Sequence, residues 1–265
     1  MSKLIEEKLD TAVPSQHKPL MLKTAYDYLN RLLFTVNGTS QKTMELLSSD
    51  AVIILGSSGL TNIMLTKLAV HCLMPKKYGG FRNSKIFILD AGNCTDLYQF
   101  VDFMKQYGLN TKKNLKKIMI SRVFTVYQLT HFLKYELFKT ISEHKINIVI
   151  IPDLLEMFLQ DPEVNVDEVR FLVTEIAQIL KELSIKSKVL LIISLSVNDN
   201  DKPSASILKL GNTILEIFNK RIEIDKNKTN DKFRILIQEK QGGDYVTVKK
   251  CLSLSAEDLL TVTGR

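Results

Sequence analysis

Five short apolar runs are spaced along the chain: AVIIL (51–55), KIFILD (85–90), KIMIS (117–121), INIVII (146–151) and KVLLIIS (188–194). They are rich in β-branched residues and do not alternate apolar with polar. A strand apolar on both faces must be covered on both faces. Between the runs lie longer stretches with apolar residues three and four apart, the spacing of one helix face. Strands alternating with helices predict an α/β fold with a mainly parallel sheet and helices on both sides.

The helices can be placed by their stripes and their ends. Leu60–Met74 follows the first strand and is stopped by Pro75. Residues 95–108 carry Leu97, Phe100, Val101 and Met104 on one stripe, with Thr95 as the expected cap and Gly108 at the end. Val126–Glu143 carries Leu129, Phe132, Leu133 and Phe138. Asn165 and Glu168 read as a capping box before a long helix with Val169, Leu172, Val173, Ile176, Leu180 and Leu183 on its core face.

The two ends of the chain read differently. Residues 1–20 are polar, with Pro14 and Pro19, and suggest a loosely docked arm. Met21–Phe34 has Leu22, Ala25, Leu29, Leu32 and Leu33 at helical spacing. The expected division is an arm with a short helix or linker over 1–35 and one core domain over 36–265. At the other end, KRIEID (220–225), KFRILIQEK (232–240) and DYVTVKK (244–250) read as antiparallel strands. Their turns are Asn227–Asp231 and Gly242–Gly243.

Bulk properties exclude several classes. With 265 residues, 45% hydrophobic and 25% charged, the chain has material for one large core. The first residues lack the apolar segment of a secretory signal, and runs such as Ile146–Ile151 and Val189–Ile193 are far too short to span a membrane. A soluble intracellular protein is expected, cytoplasmic, nucleoid-associated or nuclear according to its source. Cys72, Cys94 and Cys251 are far apart and make no C-x-x-C, which fits free thiols in a reducing compartment. His17, His71, His131 and His144 show no metal-ligand spacing, so no metal site is expected. The net charge of +7 and pI near 9.1 suit nucleic acid or an acidic partner, and suit solubility equally.

The most informative turn is GSSG, residues 56–59, between the first strand and its helix. A phosphate-binding loop reads G-x-x-x-x-G-K-[ST]: backbone N–H groups wrap the phosphates, the lysine reaches the β and γ oxygens, and the hydroxyl holds Mg²⁺. Anchored on Gly59, that pattern puts Thr61 on the hydroxyl, Leu60 on the lysine and Ile54 on the first glycine. Anchored on Gly56, through Ser57 and Ser58, the loop is two residues short. Taken alone, a small-residue turn here is an ordinary structural feature.

Its surroundings are more specific. LAVHCLMPKKYGGFRNSKIFILDAGNC resembles the RecA/RadA recombinase family through Leu68, Ala69, Val70, Cys72, Pro75, Gly79, Gly80 and Asp90. KTAYDYLNR (23–31), YGLN (107–110), SRVFTVYQL (121–129), NIVIIPDLL (147–155) and EVRFL (168–172) follow in the family's order over nearly the whole chain. Arg170 lies where the family carries an Arg-Gln pair. The resemblance implies a RecA-like P-loop NTPase fold with an antiparallel C-terminal edge.

It also implies which residues have departed. The catalytic glutamate of the family's D-T-E falls on Gly92, after Asp90, and glycine cannot activate a water. The metal aspartate falls on Pro152, with Asp153 shifted by one, and such a slip turns a strand side chain to the other face. The sensor amide falls on Ser196. With Leu60, four positions that act as a unit are altered, which argues against ATP hydrolysis. The two loops that grip DNA in the family would be 154–168, which has five acids and no Lys or Arg, and 197–206, which has Asp199 and Asp201 against Lys202. Phosphate contacts need cations.

Cations concentrate instead at Lys112, Lys113, Lys116 and Lys117, in the turn before the third strand. A second group is Lys220, Arg221, Lys226, Lys228, Lys232 and Arg234, diluted by acids and read as edge-strand protection. The first group is the candidate DNA contact. The reading is of a non-catalytic paralogue with no catalytic residue, no metal and no ATP or other cofactor. It would bind a recombinase or another paralogue as an accessory or regulatory subunit in recombination and repair. Two alternatives stay open. One is a nucleotide enzyme in which Gly59, Thr61 and Asp90 hold ATP while a partner supplies the cation. The other is a stand-alone DNA-binding protein using the lysines.

Overall fold

The strands are β1 (Ala51–Gly56), β2 (Ile86–Asp90), β3 (Ile118–Arg122), β4 (Ile148–Ile151), β5 (Leu190–Ser196), β6 (Lys220–Lys226), β7 (Phe233–Gln241) and β8 (Asp244–Leu254). They form one sheet in the order β3-β2-β4-β5-β1-β6-β7-β8. The computed structural model describes residues 50–75, 80–81, 83–160, 165–196, 213–226 and 232–254. The expected arm over 1–20, the helix over Met21–Phe34 and the boundary near residue 35 lie outside the described residues. So do Gly79, the 197–206 loop and the Asn227–Asp231 turn.

Four of the apolar runs, β1, β2, β4 and β5, are the buried centre of the sheet, as their composition requires, while the fifth forms the half-buried edge strand β3. Alternate residues of β1 serve opposite faces. Val52 and Ile54 join one core cluster with α1 (Ser58–Cys72) and α2 (Leu97–Gln106). Ala51 and Ile53 join the other, under the continuous helix of α4 (Val126–His131), a π turn (Phe132–Glu136) and α5 (Leu137–His144), and under α7 (Val166–Lys186). Two further short helices are α3 (Thr111–Leu115) and α6 (Glu156–Gln160). Val169, Leu172, Val173, Ile176, Leu180 and Leu183 all face the core, as their spacing predicts.

Several local expectations need correction. β6 is not purely antiparallel: it pairs parallel to β1 and antiparallel only to β7. Residues 197–219 are long enough to cross back to the same sheet end, which a parallel pairing demands. Asp96, not Thr95, caps α2, its carboxylate accepting from the Tyr98 N–H at 2.8 Å. The lysine-rich segment is not a plain turn but α3, capped by the Asn110 side chain accepting from the Lys113 N–H. The capping box at α7 is half made: Asn165 accepts from the Asp167 N–H, while the Glu168 carboxylate is drawn to the Tyr127 hydroxyl.

Candidate functional site

In an open parallel sheet, the carboxyl ends of the strands form the crevice where ligands bind. Here β1, β2, β4 and β5 end together, and they bring most of the expected site residues to one place.

At the end of β1, a single residue, Ser57, separates the strand from α1. Ile54, Leu55 and Gly56 remain in the sheet, paired to both β5 and β6. Gly56 is glycine for a packing reason: a Cβ there would meet the Ile224 carbonyl oxygen of β6 at 2.6 Å. Ser57 occupies the cap position without a side-chain cap bond. Ser58 and exposed Gly59 begin the helix, and Leu60 packs half-buried against the core. Thr61 is fully buried, and its hydroxyl donates to the Ser58 carbonyl at 3.0 Å. The lysine of this helix, Lys67, lies seven residues beyond Leu60, buried, with its ammonium 5.4 Å from the Phe103 ring.

At the end of β2, Asp90 is buried and organises the turn into α2. Its carboxylate accepts from the N–H groups of Cys94 (3.0 Å) and Thr95 (3.3 Å) and from Arg122 Nε (3.1 Å). Arg122 also donates to the Thr95 carbonyl. The Cys94 thiol donates to Asn62 of α1 at 3.2 Å, which ties the β1 and β2 ends together. Burial, then the carboxylates of Asp90 and Asp153, push that thiol up to about 12, so it stays protonated and can donate.

At the end of β4, the Pro152 carbonyl accepts from the Gly92 N–H at 3.2 Å. Asp153 then turns left-handed, with φ of 49°. Its N–H donates to the Ser194 hydroxyl at 2.9 Å. One carboxylate oxygen accepts from the Ser196 N–H at 2.9 Å and the other from the Ser196 hydroxyl at 2.5 Å. Asp153 is thus buried and clamped to the end of β5. The fit with β2 is equally close, since a Cβ on Gly92 would lie 2.5 Å from the Asp153 Cβ and 3.2 Å from the Cys94 sulfur.

Gly92, Pro152, Asp153 and Ser196 therefore form one contact set, with Asp90 joined to it through Cys94 and the β1–α1 junction through Asn62. Ser194, Asn62, Cys94 and Arg122 belong to it as well. A serine inside the apolar run of β5 was the available signal for Ser194. The lysines are elsewhere. Lys117 lies at the amino end of β3, its carbonyl accepting from Ile86 at the start of β2. Lys112, Lys113 and Lys116 are exposed around α3, at the opposite end of the sheet from the site. Lys117 donates to Asn114, and partial burial and then Lys113 hold its ammonium below the usual lysine range.

The second basic group divides: Lys226, Lys232 and Arg234 are exposed on the antiparallel edge, Lys228 lies outside the described residues, and Lys220 is inside the sheet. Lys220 is buried against Asp50 (2.7 Å) and Glu239 (3.7 Å), so it is not surface protection as expected. Arg221 pairs with Glu223, and Arg234 with Asp225. Cys72 is buried; the Cys251 side chain lies outside what the structure describes. No group of three or more His, Cys, Asp and Glu side chains among the described residues is placed to hold a metal ion. No helix among them is long and apolar enough to cross a membrane.

The family model described as Rad51 matches residues 52–212, from the second residue of β1 to beyond the end of β5. That is more than half of the chain and includes every site residue above. With its mostly parallel sheet and antiparallel edge, the chain belongs to the Rad51 family of RecA/RadA-type recombinase proteins.

Proposed function

We propose that this chain is a non-catalytic family member. It acts as an accessory or regulatory subunit in homologous recombination and repair by binding a recombinase or another paralogue. The observation that carries this is the clamp of Asp153 onto Ser196 beside Gly92. The carboxylate one residue past the metal-aspartate position and the serine in the sensor position spend their polar atoms on one another.

The residues at the site do not fit a nucleotide and its magnesium ion. A metal ligand needs oxygens to offer. Asp90 accepts from three donors and Asp153 from Ser196 through both oxygens. The Thr61 hydroxyl is fully buried. The one-residue link from β1 to α1 is too short to wrap phosphates, and Leu60 supplies no charge. What such a subunit keeps is a folded surface for partners. Calorimetric titration of the full chain with Mg²⁺-ATP tests the reading: no binding is expected at ligand concentrations up to about 1 mM, which corresponds to about −4 kcal/mol. Tight binding with turnover would overturn it.

One observation favours DNA as a direct ligand in addition. Lys112, Lys113 and Lys116 are exposed together around one short helix, away from the clamped site. A turn of ammonium groups suits sequence-independent phosphate contact.

A further inference from the structure

The seam between the α4–π–α5 helix and α7 carries aromatic rings that the core does not use. Tyr127 is 55% exposed, Tyr135 59% and Phe171 67%. Two contacts across the seam locate them. The Tyr127 hydroxyl donates to Glu168 across the seam at 2.7 Å. Further along, Lys134 pairs with Glu175 at 2.5 Å and lies 5.6 Å from the Tyr135 ring centre. Phe171 follows Glu168 by three residues and precedes Glu175 by four, so all three share one stripe of α7. Phe171 therefore sits between two cross-seam rungs, projecting to solvent.

Single exposed apolar side chains are ordinary, but a band of them on one face marks an interaction surface. Tyrosine and phenylalanine are the residue types enriched at the buried centres of interfaces. The charge around the band is acidic in a chain of net charge +7. Glu136, Asp167, Glu168 and Glu175 stand against Lys134 and Arg170, and both cations are already paired, with Glu175 and Asp167. Such a surface repels a phosphate backbone and attracts cations. Aromatic faces beside carboxylates also suit guanidinium groups, which stack on rings while pairing with acids.

We propose that this band is a docking surface for a protein partner that presents a basic amphipathic helix. Its aliphatic side chains would pack on Tyr127, Tyr135 and Phe171, and its flanking Arg or Lys would meet Glu136, Asp167 and Glu168. The proposal rests on the reading that the chain works by binding another protein, and it adds where and to what chemistry.

The test uses the full chain and two designed helical peptides of about 20 residues with the same leucine face, one flanked by Arg and Lys and one by Glu. Fluorescence anisotropy should show binding of the basic peptide only. Phe171→Ser and Tyr135→Ala should each weaken it at least about tenfold, with melting temperatures unchanged because both side chains are exposed. Equal binding of the two peptides, or binding untouched by Phe171→Ser, overturns the proposal. Self-association that Phe171→Ser abolishes in sedimentation would give the face to a second copy, and overturns it too. Pull-down with purified recombinase-family proteins separates the two claims. Capture by the wild-type chain and equally by Phe171→Ser sinks the surface and leaves the accessory-subunit reading standing. No capture even by the wild-type chain sinks that reading, while the peptides still decide the surface.

Discussion

Gly92 and Asp153 share a space that holds the backbone of one and the side chain of the other: a Cβ on Gly92 would lie 2.5 Å from the Asp153 Cβ. No pair of non-bonded carbon atoms tolerates that distance, so an acid cannot be restored at position 92 without moving the end of β4. Gly92→Glu is expected to lose about 1–3 kcal/mol of stability, the usual cost of overpacking, and to gain no ATPase activity. Adding Asp153→Gly removes the obstructing side chain and suits the left-handed backbone there. Urea midpoints of the two single variants and the double variant should give a coupling of about 1 kcal/mol or more. Additive costs would mean the two residues are not in contact.

The clamp from Asp153 to Ser196 makes a second prediction. Asp153→Ala leaves the Ser196 N–H and hydroxyl without their acceptors, at a cost of about 1–3 kcal/mol. Asp153→Asn keeps one acceptor and tolerates positive φ, so it should cost distinctly less. Millimolar Mg²⁺ should leave the melting temperature of the wild-type chain unchanged, because a ligand that binds the native state raises it. A magnesium-dependent rise that Asp153→Ala removes would show the carboxylate to be a metal ligand instead.

How far these arrangements could be read in advance depended on whether a residue's role is local. The buried strands were legible because a strand covered on both faces must be apolar throughout, as Val52–Ile54 and Leu190–Ile193 are. The α7 stripe was legible for the same kind of reason. The direction of β6 was not, since KRIEID looks alike in either orientation and only the crossover decides. Thr95 and Asp96 are both good caps, and the carboxylate of Asp90 decides between them by holding the Thr95 N–H. At the site, the departures at Leu60, Gly92, Pro152 and Ser196 were visible. Their consequence was not, because the bonds that join Gly92 to Pro152 and Asp153 to Ser194 and Ser196 link segments 41 or more residues apart.

His71 gives the fold a pH dependence. It is buried in α1 with its ring 6.4 Å from that of Tyr107. Burial lowers its pKa from 6.5 to about 4. The native state therefore resists protonation that the unfolded chain accepts. Stability from this group is present in full above pH 6.5 and is lost as pH falls toward 4, by roughly 3 kcal/mol at most. Carboxylates titrate in the lower part of the same window, so the comparison is with His71→Gln. The difference in urea midpoint between wild type and variant should shift in the variant's favour between pH 7.5 and pH 4.5. A constant difference would place the imidazole in contact with water.

At the other end of the sheet, Lys220 and Asp50 form a buried ion pair at 2.7 Å. Asn219 reinforces it, donating to the second Asp50 oxygen and accepting from the Ala51 N–H. Removing one partner leaves a buried charge, so Asp50→Ala or Lys220→Ala should each cost about 3–5 kcal/mol. Asp50→Leu with Lys220→Met replaces the pair with apolar volume and should cost less than either single change. Denaturant titration of the three variants decides this. Double-variant stability below that of both singles would mean that the pair contributes net stability beyond charge compensation.

The α3 lysines make the last prediction. If Lys112, Lys113 and Lys116 contact phosphates, DNA affinity must fall steeply with salt, with a slope of about 0.9 per phosphate neutralised on a duplex. Changing all three to glutamate should lower that slope by about three contacts' worth and weaken binding alike on unrelated sequences. The fold should be untouched, because all three side chains are exposed and the α3 cap belongs to Asn110. The aromatic band at the α4–α7 seam supplies the control, since Phe171→Ser alters an acidic region and should leave DNA binding as it was. A salt slope unchanged by the three substitutions would remove α3 from any DNA interface and leave contact with DNA to the partner alone.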